Sequence, residues 1–222
     1  MTRFDTLYKA AVKKVGGKSE LAQLLPSVKS ADELCAVGDD RYLSMMTRCV
    51  FRAGFVWRVI DAKWPGFEAA FNEFNPVVTA HYSDEKLEEL ARDERIVRNF
   101  QKIKTVRENA QFVMDLIREH GGVGNFIADW PSEDIVGLWA VLKKRGARLG
   151  GNSGPMFLRS MGKDTFILSD DVKAALVNHG LIDRISPSSQ RDLNKIQAVF
   201  NDLQEQSGRP LAEISRILSH TV

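Results

Sequence analysis

Apolar residues in this chain recur at helical spacing almost from end to end, and the two-residue alternation of half-buried strands is scarce. Leu7, Ala10, Ala11 and Val15 fall on one helical stripe, as do Ile103, Val106, Ala110, Val113, Met114 and Ile117. Breaks at Gly16-Gly17, Leu25-Pro26, Trp64-Pro65-Gly66, Asn75-Pro76, Gly121-Gly122, Trp130-Pro131, Gly150-Gly151 and Ser186-Pro187 cut this pattern into about ten helices. Ser83 before Asp84-Glu85 and Ser132 before Glu133-Asp134 have the form of helix starts, with a capping hydroxyl and carboxylates facing free amides. The spacing therefore predicts an all-α protein. At 222 residues and 44% hydrophobic content the chain is long enough for a substantial core in one domain or two lobes.

No apolar run reaches the roughly eighteen residues of a membrane span, and Met1-Thr2-Arg3-Phe4-Asp5 has no apolar signal core. A soluble, cytoplasmic protein is expected. Two cysteines, Cys35 and Cys49, with no close Cys/His cluster, are too few for a thiolate metal site or a disulfide framework, so neither zinc nor any other cofactor is expected.

Net charge is only +2, so a polyanionic partner has to be argued from where the charges fall. Arg95, Arg98, Lys102, Lys104 and Arg107 follow an acidic stretch, Glu85 to Glu94. A second cluster, Lys143-Lys144-Arg145-Gly146-Ala147-Arg148, runs into Leu149-Gly150-Gly151-Asn152-Ser153-Gly154-Pro155. Either run reads equally as a solvated helix face. The glycine turn adds a more specific chemistry. Glycine takes positive φ without a Cβ clash, so the amides of Gly151, Asn152, Ser153 and Gly154 can form an anion nest at the start of the next helix.

Two blocks carry a family likeness. The first is Arg52-Ala53-Gly54-Phe55-Val56-Trp57, with Phe67-Glu68-Ala69-Ala70-Phe71, Phe74-Asn75-Pro76, Arg98-Asn99-Phe100-Gln101-Lys102-Ile103 and Asn109-Ala110 after it; the second is Leu142-Lys143-Lys144-Arg145-Gly146 with its glycine turn. Together, over roughly residues 40 to 170, they resemble the bacterial 3-methyladenine DNA glycosylases I (Tag) of the helix-hairpin-helix glycosylase superfamily. The resemblance implies a two-lobed helical fold acting on damaged double-stranded DNA, whose cleft receives a base turned out of the stack. It places Trp57 at the family's pocket tryptophan, with Cys49 and Phe51 beside it. An indole face there would attract the positive charge of 3-methyladenine; from the residues alone, Trp57 among Phe51, Phe55, Val59 and Ile60 could equally fill a core. The family's base-reading glutamate falls at Cys49, whose thiol cannot offer a carboxylate's paired acceptors. Its N-terminal tyrosines have no counterpart in register, Tyr42 included, and its zinc ligands are missing.

In the superfamily the hairpin is followed about twenty residues later by an aspartate. The ending Phe166-Ile167-Leu168-Ser169-Asp170-Asp171 resembles that of the broad-specificity alkylation glycosylases, and in that register Asp171 is the catalytic candidate. A carboxylate suits the chemistry, because breaking a purine N-glycosidic bond builds positive charge on the sugar and needs an oriented water. The same Ser-Asp-Asp also reads as an ordinary helix N-terminus. The lysine with which lyase members of the superfamily cut the strand falls near Pro155, and Lys163 lies too far along to replace it, so the resemblance implies base removal by water alone. Phosphate contacts are expected from the hairpin amides and from Lys143, Lys144, Arg145 and Lys102. A monomer is expected, nucleoid-associated, with a glycosylase-like domain over 1–186, less defined over 1–38, and a C-terminal helical extension over 187–222 packed on it. A glycosylase-shaped DNA-binding protein without catalysis, or a helical protein-interaction domain, are the other readings.

Overall fold

The computed structural model describes residues 2–222. Among them are fifteen α-helices and no strand: α1 (Arg3–Val15), α2 (Lys18–Leu24), α3 (Ala31–Cys35), α4 (Asp39–Arg52), α5 (Trp57–Ala62), α6 (Trp64–Ala70), α7 (Pro76–Ala80), α8 (Asp84–Leu90), α9 (Phe100–His120), α10 (Val123–Asp129), α11 (Ile135–Arg145), α12 (Ser153–Met161), α13 (Asp170–Asn178), α14 (Gln190–Ser207) and α15 (Leu211–Ser219). The all-α expectation holds, with more and shorter helices than the apolar breaks suggested. The excess lies mainly between residues 57 and 80, where prolines open α6 and α7 and Asn72, Glu73 and Phe74 take positive φ between them. Ser83 caps α8 as expected, its hydroxyl accepting from the Lys86 amide at 3.2 Å. Ser132 does not cap α11. It lies in a 3-10 turn, Ser132–Asp134, that makes no side-chain cap, and α11 starts only at Ile135.

The helices form two compact units. In one, Ser30–Asp129 with Trp139–Met161, the 21-residue helix α9 is the central element. Ile103, Val106, Ala110 and Val113 are buried along it, as the periodicity predicts, together with Phe112 and Leu116. Trp64, Phe67, Phe71 and Phe74 stack in succession with ring centroids 5.0 to 6.2 Å apart, offset contacts that add to their burial. Tyr42 is fully buried and its hydroxyl donates to the Leu34 carbonyl at 2.7 Å, which makes it a core residue. Glu68 ties α4 to α6: Arg41 donates to both its oxygens at 3.0 Å, Ser44 at 2.8 Å and the Trp64 indole at 2.9 Å. Desolvation alone would raise the Glu68 carboxyl, but these donors outweigh it and hold it below the ordinary carboxylate range.

The other unit takes in the chain up to Lys29, Trp130–Leu138 and Gly162–Val222. Residues 187–222 are not bounded off at residue 186; α14 and α15 both pack on α1, and α13 packs on α15. The reason is in the bonding. The Asp164 carboxylate caps α15 by accepting from the Leu211 and Ala212 amides at 3.1 and 2.8 Å, Ser215 is bonded to both the amide and the carbonyl of Ile167, and Phe166 stacks on Phe200 at 4.1 Å. Lys163 is buried, with its ammonium on the Trp130 carbonyl.

Candidate functional site

In the unit built around α9, Cys49, Arg52 and Ala53 from the end of α4, Trp57 from the start of α5, and Asn152, Ser153 and Met156 from the start of α12 line one mostly apolar cavity of about 120 Å³. That is well below the roughly 300 Å³ at which drug-sized pockets begin, and it suits a single flat ring system. Trp57 is 50% exposed, so it does not fill a core. Phe51 does: it is fully buried, edge-on to Phe67 at 4.7 Å, and, against expectation, does not line the cavity.

The cavity already contains a cation. The Arg52 guanidinium lies over the Trp57 ring at 4.9 Å, on the surface expected to attract a charged base. Asp61 holds it there, accepting from Arg52 Nη2 at 2.7 Å on each oxygen, and accepts from Arg48 Nε at 3.0 Å as well. Burial would raise the Asp61 carboxyl, yet the two arginines outweigh it and keep it charged. Cys49 contributes no charge, because burial pushes its thiol up to about 11. Cys35, by contrast, is exposed. Iodoacetamide at pH 8 is accordingly expected to modify Cys35 and leave Cys49 unmodified, since roughly one Cys49 in a thousand would be a thiolate; mass spectrometry of the labelled native protein checks this, and equal labelling would show that Cys49 is not enclosed as described.

Lys102 does not project toward solvent. It is only 6% exposed, and its ammonium donates to the carbonyls of Phe51 and Ala53 at the end of α4. Desolvation, and then repulsion from Arg148, lower its affinity for a proton. Its position follows from α9: Lys102 precedes Val106 by one turn and shares the stripe that continues to Asn109 and Val113, so the charge faces inward. The expected phosphate contact from Lys102 gives way to a helix-capping role. Most of the basic run around it is paired, Arg95 with Asp93 at 2.7 Å and Arg98 with Glu94 at 3.6 Å in the preceding acidic stretch, and Arg107 with Asp84 just before it at 2.8 Å.

The hairpin is α11, a turn over residues 146–152, and α12. Gly151 stands at φ +59° on the exposed surface of the turn, a conformation that a side chain would strain. Gly154 is buried, and a Cβ there would lie 2.6 Å from the Leu149 carbonyl oxygen; this close approach of backbones is what the small residue serves. Lys143, Lys144, Asn152 and Arg148 are exposed around the turn. Arg145 is held by Glu119 through two bonds of 2.7 and 2.8 Å and lies over Phe112 at 5.2 Å, which leaves Lys143, Lys144 and Arg148 as the accessible charges of the predicted cluster. Asn109 carries a role that its family block alone does not reveal. Fully buried on α9, it accepts from the Ala147 amide at 2.8 Å and donates to the Ala147 carbonyl at 3.1 Å, clamping the turn to the core.

Asp171 belongs to the other unit. The cap of α13 is Ser169, whose hydroxyl accepts from the Val172 amide at 3.2 Å, and Asp170 pairs with Lys173 at 2.7 Å. Asp171 is exposed, and its carboxylate makes no hydrogen bond among the described residues. The partly buried His220 feels its charge, although burial first, and then Arg216, lower the imidazole's affinity for a proton. Among the described residues, no three His, Cys, Asp or Glu side chains come within metal-binding range of one another.

A family model described as methyladenine glycosylase matches residues 34–147. Among solved structures, the chain is similar to a 3-methyladenine DNA glycosylase I at 19% identity, over 62% of this chain and 82% of that one, with a TM-score of 0.51. It is similar to the Staphylococcus aureus 3-methyladenine DNA glycosylase I at 20% identity, over 56% and 76%, with a TM-score of 0.50. A Methanocaldococcus jannaschii 8-oxoguanine glycosylase/lyase, solved with DNA containing 8-oxoguanine, is 16% identical over 96% of this chain and 95% of its own, with a TM-score of 0.53. At these identities the structural likeness shows a shared helical glycosylase fold.

Proposed function

Because the chain belongs to the methyladenine glycosylase family, we propose that it is a monofunctional DNA base-excision glycosylase, hydrolysing the N-glycosidic bond of alkylated purines flipped out of damaged double-stranded DNA. One observation carries this reading above the others: the half-exposed indole of Trp57, the last residue of the hairpin turn, Asn152, and the first of its helix, Ser153, line the same cavity. A ring receptor beside an exposed glycine turn and its lysines is what extracting a base from a gripped strand requires. In this reading Trp57 and Cys49 bound the base, the amides of Gly151 and Asn152 with Lys143 and Lys144 hold phosphates, the Ser153 amide being turned to the Gly150 carbonyl and Gly154 buried, and Asp171 acts on the sugar and its attacking water. The resemblance puts the lyases' lysine at or near Pro155, which has no amine to offer, and Lys163 is buried on a carbonyl. The neutral Cys49 favours a second reading, a glycosylase-shaped protein that binds DNA without cleaving the bond.

Incubation with alkylated duplex DNA decides between them. Free base and alkali-sensitive abasic sites, without strand breaks before alkali, are expected. Tight duplex binding with no base release from any lesion would establish the second reading, and breaks before alkali would exclude hydrolysis by water alone. Duplex affinity is expected to fall steeply with salt, and the double substitution Lys143→Ala/Lys144→Ala to reduce the slope of log K against log salt by about 2 units. A flat salt dependence of the wild-type protein would remove the phosphate contacts from the proposal.

A further inference from the structure

The wall of the ring cavity has an electrostatic sign, and that sign selects a substrate. Arg52 lies on the Trp57 face and Arg48 over the neighbouring Trp64 ring at 5.1 Å, both sharing the one Asp61 carboxylate. Behind Ala53, which lines the cavity, the Lys102 ammonium is bonded to the Ala53 carbonyl and lies 4.4 Å from the Phe55 ring centre. Two guanidiniums thus share a single carboxylate, and the ammonium rests on backbone carbonyls with no carboxylate bonded to it. The closest further carboxylate along α6, Glu68, is itself paired with Arg41, and the Cys49 thiol is uncharged. A partly enclosed apolar notch strengthens such a field over its value in water.

We infer that Arg52 is a specificity-determining residue that turns the pocket against cationic bases and toward uncharged alkylated purines. The inference rests on the glycosylase reading and deepens it. Purines methylated at N3 or N7 carry a positive charge in DNA, and such a ring placed on Trp57 would meet the Arg52 guanidinium at close range. An uncharged purine, such as one carrying a bridging etheno group or an O-alkyl group, meets no such repulsion and can accept hydrogen bonds from the guanidinium edge. Bond cleavage favours the same choice. When the C1′–N9 bond breaks, its electron pair goes to the base. A cationic purine leaves as a neutral molecule, whereas an uncharged purine leaves as an anion, which takes up the proton released by the water that adds to C1′. A positive wall stabilises the anionic leaving group and gives nothing to the neutral one.

The test compares base release by the protein from a duplex carrying 1,N6-ethenoadenine, which is uncharged, and from a duplex methylated with dimethyl sulfate, which carries cationic N3- and N7-methylpurines. The wild-type protein is expected to favour the etheno duplex in kcat/KM by about tenfold or more. Arg52→Gln should collapse or invert this ratio, and Asp61→Asn, whose amide oxygen still accepts from Arg52 while the opposing charge is removed, should widen it; circular dichroism confirms that each variant folds. The opposite shifts of the two variants keep the idea testable if one of them is unstable. A wild-type preference for the methylated duplex, or a ratio unmoved by both substitutions, overturns the role of Arg52 while leaving the glycosylase reading intact. No release from either duplex overturns the glycosylase reading itself, and the inference with it.

Discussion

Asp171→Asn is expected to slow base release at least about a hundredfold, the range found when a positioned acid, base or charge stabiliser is removed from a reaction centre, with little change in duplex affinity or unfolding temperature. The expected separation of rate from stability comes from the local structure. Ser169, not Asp171, caps α13, and the Asp171 carboxylate is exposed and bonded to no neighbour among the described residues, so Asn replaces it without leaving a partner unsatisfied. Its neighbour supplies the control. Asp170 is 98% exposed in its side chain and engaged with Lys173, and an exposed pair of this kind contributes little to stability; Asp170→Asn is therefore expected to retain nearly full activity. Single-turnover release from alkylated duplex measures both variants. Unchanged release by Asp171→Asn would remove that residue from the mechanism, and equal losses from both substitutions would point to a general effect of negative charge at this helix start.

The distinction between these two aspartates shows where sequence reasoning reached and where it stopped. A 3.6-residue stripe records which face of a helix is buried, so the all-α class and the core of α9 follow directly from Ile103, Val106, Ala110 and Val113. The hairpin was legible too, because Gly151 and Gly154 occupy places where, respectively, a positive φ and a close backbone approach leave little choice. Charges were less legible, because a lysine's letter does not say where its ammonium lies. Lys102 and Lys104 sit two residues apart, yet one is buried against carbonyls and the other partly exposed. The step from Lys102 to Val106 and Asn109 held that information, but a basic run draws the eye to net charge rather than to phase. The Arg52–Trp57 stack was beyond sequence because it depends on Asp61, nine residues along the chain, folding back onto α4. The missing glutamate at Cys49 showed only that something differed in the pocket, not that a guanidinium already rested on its indole.

Asn109→Ala is expected to destabilise the protein by about 2 to 3 kcal/mol, since truncating a buried side chain that satisfies both a donor and an acceptor leaves the two unpaired and opens a small void. The groups left behind are the amide and carbonyl of Ala147, in the turn that joins α11 to α12. The next residue, Arg148, takes φ +58° without being glycine, a backbone conformation that costs about 1 to 2 kcal/mol and persists only where its surroundings hold it. Loss of the clamp should therefore loosen the turn before it melts the core, and the two effects can be read separately. Denaturant midpoints report the stability change, and a fall of less than about 0.5 kcal/mol, the scatter of ordinary surface substitutions, would show that water replaces the Asn109 bonds without loss. Duplex binding at a temperature where the variant remains folded reports the turn: affinity and salt slope should both drop although Lys143, Lys144 and every hairpin glycine are intact. A destabilised variant with an unchanged salt slope would mean that the hairpin keeps its phosphate-binding form without Asn109, and would confine the clamp to core stability.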